Sequence, residues 1–111
     1  MELEIYEYNA EGYKPLLAFE AWRVAMLNWT DRFDKLTKLE RHLLTDEVFV
    51  LLDGEATLYI GEKAVPTVME KNKVYNVKKA VWHAITTSRD AHVLVVENDN
   101  TSMVNSEYLE L

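Results

Sequence analysis

The chain has 111 residues, with 12 basic and 19 acidic side chains, a formal net charge of −7 and no cysteine. The length fits one domain spanning residues 1–111, and a hydrophobic content of 49% excludes disorder as the main state. The lack of cysteine excludes disulfides, thiolate zinc sites and iron–sulfur clusters. The acidic balance argues against nucleic acid or an anionic membrane as partner. The acidic start of the chain and the short apolar runs give no signal peptide or membrane span, which favours a cytoplasmic protein.

The first predicted strand covers residues 19–29 and ends at the plausible turn Thr30-Asp31. Residues 33–44 have apolar side chains near helical spacing, which allows one helical turn. Short β-rich runs follow, separated by short polar pieces: residues 47–52, 56–60, 65–69, 74–77, 81–87 and 92–97. Such closely spaced strands predict an all-β sandwich or barrel.

Asp53-Gly54 separates two of these runs, residues 47–52 and 56–60. An Asp-Gly pair between two apolar runs is a strong signal for a tight hairpin, because glycine supplies the positive φ that the turn requires. The sequence therefore predicts that these two strands pair with each other.

Four titratable side chains stand in or beside the predicted strands: Glu40, His42, Glu47 and His83. Residues two apart on a strand face the same way, so Glu40 and His42 are expected to point to one spot. Glu47 and His83 share strand faces with apolar residues and would need partners on burial. A divalent cation bound by these side chains would supply a partner. The alternatives are a hydrogen-bonded polar cluster in the core, or side chains that are exposed and need no partner.

The same residues carry a resemblance to the cupins. His42, Glu47 and Gly54 follow the spacing of the first cupin motif, and the string TDEVFVLLDG at residues 45–54 is typical of that family. The second motif keeps only its histidine, His83, inside the typical string VWHAI at residues 81–85. The resemblance covers about residues 20–98 and implies a core barrel of the double-stranded β-helix, or jelly-roll, kind over that span. Terminal extensions flank this core, and cupins of this kind usually form homodimers.

The resemblance also implies a divalent metal cofactor, such as Zn, Mn, Fe or Ni. Cupin sites typically use three histidines and one glutamate, but the first histidine is replaced here by Glu40. The implied ligands are therefore His42, Glu47, His83 and Glu40, with Glu40 alternatively a catalytic acid or base.

The expected function is small-molecule binding, with possible metal-dependent isomerase, epimerase, lyase or dioxygenase chemistry on a sugar or a small hydroxy or keto acid. A non-catalytic ligand-binding or regulatory module is the alternative, if Glu40 breaks the metal site. A weaker third reading is a partner-binding subunit that uses the acidic surface. The fold does not choose among these, since one fold hosts many functions.

Four further features carry expectations. Trp82 alternates with His83 and should point away from any pocket that His83 lines. Arg23 either binds a substrate carboxylate or is exposed or salt-bridged. His92 is read as a surface or dimer-contact residue, and the apolar tail at residues 108–111 favours a homodimer.

Overall fold

The computed structural model describes residues 2–111 and is built almost entirely from strands. The strands, in chain order, are β1 (Gly12–Phe19), β2 (Trp22–Asn28), β3 (Lys38–His42), β4 (Glu47–Asp53), β5 (Ala56–Ile60), β6 (Val65–Val68), β7 (Tyr75–Val77), β8 (His83–Thr87), β9 (His92–Asn98) and β10 (Ser106–Glu110). Short 3-10 turns at Asp31–Phe33 and Met103–Asn105 are the helical elements of the described residues. The predicted all-β class is confirmed.

Two antiparallel five-stranded sheets enclose the core. One has the order β1-β2-β9-β4-β7 and the other β10-β3-β8-β5-β6. The period-two pattern read from the sequence places alternate side chains inside: Val93 and Val95 on β9 are fully buried, and Leu58 on β5 is 2% exposed. These inward residues form one apolar cluster with Leu27 and Phe49. The same alternation turns the site residues of β3, β4 and β8 into the barrel.

The predicted hairpin at Asp53-Gly54 is wrong. β4 pairs with β7 and β9, whereas β5 pairs with β6 and β8 in the other sheet. Asp53-Gly54 therefore carries the chain from one sheet to the other. Gly54 has φ +72°, and a Cβ there would lie 2.6 Å from the Cα of Ala91, so the turn requires glycine because of both conformation and space. The local turn signal was correct, but it does not specify the sheet partner of each strand.

The boundaries upstream of the motifs also differ from prediction. The strand expected over residues 19–29 is β2, which begins at Trp22, and residues 12–19, where no strand was predicted, form β1. A hairpin in which Glu20 has φ 51° joins β1 to β2. The possible helical turn within residues 33–44 is replaced by a 3-10 turn at 31–33 followed by β3. β1 and β10 extend the two sheets beyond residues 20–98, because each adds an outer strand.

In the second sheet, the seam between β3 and β8 has almost no backbone pairing. β5 and β8 are joined through five residue pairs, but β3 and β8 pair only at Glu40 and His83. The segment 31–37 lies next to this gap, and its 3-10 turn contacts β8. The opening therefore lies beside the site residues. No helix in residues 2–111 is both long and apolar enough to span a bilayer.

Candidate metal centre

The four side chains singled out from the sequence meet inside the barrel. Glu40 and His42 project from β3, Glu47 from β4 and His83 from β8, with one potential ligand atom from each within 4.8 Å of the others. We call these four residues the site cluster. His42, Glu47 and His83 are buried, and Glu40 is half-buried.

Both histidines point their Nε2 atoms at the same oxygen. Nε2 of His42 lies 3.0 Å and Nε2 of His83 2.9 Å from Oε1 of Glu47. Nδ1 of His83 lies 3.0 Å from the carbonyl oxygen of Val81, which only accepts, so this nitrogen carries a proton. The Ser106 hydroxyl donates to the Ser102 carbonyl at 2.7 Å, so it accepts from Nδ1 of His42 at 2.8 Å.

These hydrogen bonds fix the charge requirement of the cluster. With both Nδ1 atoms protonated, neutral imidazoles would present two Nε2 lone pairs to the Glu47 carboxylate oxygen. Three lone pairs directed at one point repel one another unless a positive charge lies between them. The geometry therefore requires either protons on Nε2 or a cation shared by His42, Glu47 and His83.

The pKa shifts describe the metal-free state of the cluster, in which protons on the histidines lie between the lone pairs. Burial lowers the pKa of both His42 and His83, but the hydrogen bond to Glu47 and its negative charge outweigh burial, and each pKa is raised above its usual value. Burial would raise the pKa of Glu47, but the hydrogen bonds from the two histidines lower it below its usual range. The cluster thus holds Glu47 as a carboxylate in an interior site.

Glu40 is the accessible member of the cluster. Its Oε1 lies 3.7 Å from Nε2 of His42 and 4.0 Å from Nε2 of His83, so it is farther from the histidines than Glu47. Its side chain is 21% exposed, and its other oxygen lies 3.4 Å from Arg32. Glu40 is therefore less constrained than Glu47 and is reachable by a small molecule.

A second buried carboxyl group, Glu97 on β9, was missed by the sequence reading. Its Oε1 accepts hydrogen bonds from Tyr13 at 2.7 Å and from Arg23 at 2.8 Å. Burial and the neighbouring carboxylate of Glu47 raise the pKa of Glu97 to about 7, against the opposing effect of Tyr13 and Arg23. The period-two pattern of β9 would have placed Glu97 on the inward face with Val93 and Val95.

Two cavities meet at the site cluster. A cavity of about 180 Å³, here called the barrel cavity, is lined by all four cluster residues and by Tyr13, Arg23 and Glu97 among others. A larger cavity of about 510 Å³, here called the side cavity, lies at the open β3–β8 seam and is lined by residues 31–38, Glu40 and residues 83–85. Glu40 and His83 line both.

The other singled-out residues lie elsewhere or are already paired. Arg23 is salt-bridged to Glu97, as one of its two readings predicted, while it also lines the barrel cavity. Trp82 stacks under Arg41, at 4.4 Å from guanidinium carbon to ring centroid, and lines neither cavity, in agreement with the expected outward orientation. His92 lies outside the cluster, with Nδ1 2.8 Å from Asn28. Residues 108–110 belong to β10 and pair with β3, so part of the apolar tail completes a sheet; the homodimer stays a prediction.

The cluster fits a divalent transition metal by donor chemistry. Two imidazole nitrogens and two carboxylates suit Zn, Mn, Fe or Ni. Both histidines are oriented by a hydrogen bond at the opposite nitrogen, as is usual for metal-ligating imidazole. The set carries two negative charges where a site of three histidines and one glutamate carries one.

Comparison with known proteins gives relatives by structure alone. No protein-family model and no curated protein matches the sequence. A variant of Streptomyces PAC13 with uridine is similar at a TM-score of 0.69 and 7% identity, over 98% of this chain and 93% of that one. PAC13 is described as a nucleoside dehydratase.

An RmlC-like cupin from Methanocaldococcus jannaschii is similar at a TM-score of 0.67 and 15% identity, over 88% of this chain and 92% of that one. A double-stranded β-helix protein from Klebsiella pneumoniae is similar at 0.67 and 14% identity, over 96% and 86%. This chain has the cupin fold. The double-stranded β-helix predicted from the two motif strings is thereby confirmed, and the cupin barrel accounts for site residues that lie on three strands of two sheets.

Proposed function

We propose that this cupin binds one divalent transition metal through His42, Glu47 and His83, with Glu40 as a fourth ligand or as an acid or base, and uses the metal in an isomerase-, epimerase- or lyase-type reaction on a small polar molecule. The single observation that carries the proposal is the convergence of two Nε2 atoms on one carboxylate oxygen while both Nδ1 atoms serve as donors. Without a metal, the same convergence needs protonated imidazoles that donate from Nε2 to Glu47.

A bound metal would supply a Lewis acid that polarises a carbonyl or hydroxyl group of the ligand. The chain's own residues have separate tasks. Val81 and Ser106 hold the two imidazoles with Nε2 inward. Where it does not bind the metal, Glu40, the most accessible member of the cluster, would take a proton from a ligand carbon or hydroxyl group and return it. The barrel cavity of about 180 Å³ suits a compact substrate, such as a sugar or a small hydroxy or keto acid.

Metal titration of three matched histidine variants tests the proposal. The chain has three histidines, two inside the cluster and one, His92, outside it. We expect the wild type and His92→Gln to bind about one equivalent of Zn or Mn, as measured by elemental analysis after gel filtration. His42→Gln and His83→Gln should each weaken binding by at least about 100-fold, since each removes a ligand rather than an orienting partner.

Circular dichroism of each variant separates lost ligands from a lost fold. Metal-free wild type after exposure to Zn, Mn, Fe and Ni, with folding intact, would contradict the metal proposal. Equal binding by wild type and folded His83→Gln would do so too, because it would place the metal elsewhere.

A further inference from the structure

The side cavity opens directly onto the site cluster. It occupies the gap where β3 and β8 stop pairing beyond Glu40 and His83. A ligand in the barrel cavity that reaches past these two residues would enter it, because Glu40 and His83 line both cavities. Together the two cavities offer an elongated path rather than a closed pocket.

The walls of the side cavity combine an apolar surface with basic side chains. Phe33, which is 5% exposed, and Ile85, which is 8% exposed, contribute to the apolar part. The basic lining residues are Arg32, Lys35 and Lys38.

The same wall carries as many acidic as basic residues, but among the described residues Arg32 is the only one of its basic side chains that forms an ion pair. Asp34 accepts a hydrogen bond from Nε1 of Trp29 at 3.0 Å, and Glu40 belongs to the site cluster and contacts Arg32. Asp31 is the remaining acidic group of the lining. Within residues 2–111, Lys35 and Lys38 form no ion pair, although Lys38 lies 4.9 Å over the Tyr108 ring.

We propose that the side cavity is a subsite for an anionic group, a carboxylate or a phosphate ester, on a substrate whose reacting end lies at the site cluster. Lys35 and Lys38 would bind the anion by charge-assisted hydrogen bonds, and Arg32 would orient it at the junction of the two cavities. The apolar wall would hold the carbon skeleton between them. The inference rests on the proposed function for the reacting end, but the anion subsite can be tested without metal.

The test is calorimetric titration of zinc-loaded and metal-free protein with D-glucose, D-glucuronate and D-glucose 6-phosphate. The three probes share a ring and differ in charge. We expect one of the two anions to bind about tenfold more tightly than glucose, the equivalent of about 1.4 kcal/mol. Preference for glucuronate would identify a carboxylate subsite, and preference for the phosphate ester a phosphate subsite.

Two double variants separate the subsite from general charge effects. Lys35→Gln/Lys38→Gln should abolish the anion preference, whereas Lys14→Gln/Lys63→Gln should retain it. Both pairs change the net charge equally, and Lys14 and Lys63 line neither cavity. An anion that coordinates zinc directly would still bind more tightly than glucose to the zinc-loaded Lys35→Gln/Lys38→Gln variant. It would lose this preference in metal-free protein.

Two results would overturn the subsite: glucose binding as tightly as both anions, or an anion preference unchanged in Lys35→Gln/Lys38→Gln. Failure of the protein to bind zinc would contradict the proposed function instead. In that case the titrations of metal-free protein would still show whether the side cavity binds anions more tightly than glucose.

Discussion

Two buried glutamates on neighbouring strands, Glu47 on β4 and Glu97 on β9, have pKa values that the same barrel shifts in opposite directions. Glu47 faces two histidines, and its pKa is lowered. Glu97 faces Tyr13 and Arg23 but also the charge of Glu47, and its pKa is raised to about 7. Burial disfavours ionisation of both, so their neighbours decide the outcome.

The difference between the two pKa shifts indicates a metal ligand in Glu47 and a structural role for Glu97. Glu47 receives two groups that can exchange their protons for a metal, while Glu97 is tied to an arginine and a tyrosine that cannot. Environments that push two carboxyl pKa values apart are a common basis for dividing roles in a site. The proposed function therefore gives metal binding to Glu47 and structural support to Glu97, and experiments on the two residues can contradict this division.

The largest expected effect comes from exchanging each glutamate for glutamine. Glu47→Gln should weaken zinc binding by at least about 100-fold, because it removes the oxygen shared by both histidines. Glu97→Gln should change it by less than about tenfold. Competition with a chromophoric chelator measures both constants; equal losses in the two variants would show that the roles are not divided.

A smaller effect is expected from breaking the support. Arg23→Met removes the ion pair to Glu97 and the hydrogen bonds to the carbonyl oxygens of Asp99 and Thr101. We expect a loss of about 2 kcal/mol in the free energy of unfolding, less than the about 3–5 kcal/mol of a fully buried pair, because Glu97 can become protonated. Urea unfolding measures this loss. Metal affinity should stay within about tenfold of wild type, and a larger drop would place Arg23 in the metal site.

The smallest effect is a pH dependence of the metal-free protein. His42 and His83 have raised pKa values, so their stabilisation is complete below about pH 6.5 and is lost as the pH rises through their folded pKa. Glu97, raised to about 7, also favours the folded state less as the pH rises from about 4.5 to about 7. The Tm should therefore fall between about pH 5.5 and about pH 8.

Zinc should reverse this trend, since neutral histidines bind metal and stabilise the folded state by mass action. The Tm increase on adding zinc should grow with pH over the same range. A zinc-induced increase that is constant with pH would contradict proton–metal exchange at His42 and His83.

The sequence predicts which residues form the site cluster better than it predicts which strands pair. Period-two alternation predicts that Glu40 and His42 share a strand face, and the resemblance to the cupins adds Glu47 and His83 to the same site. The sheet change at Gly54 was missed because an Asp-Gly turn fixes the local φ but not the partner strand. Glu97 was missed because its partners Tyr13 and Arg23 are 84 and 74 residues away along the chain.

Anomalous X-ray diffraction from zinc-loaded crystals would test the central claim most directly. The account predicts one interior peak about 2.0–2.2 Å from Nε2 of His42, Nε2 of His83 and a carboxylate oxygen of Glu47. An interior that stays without a peak while zinc is found only on the surface would contradict it.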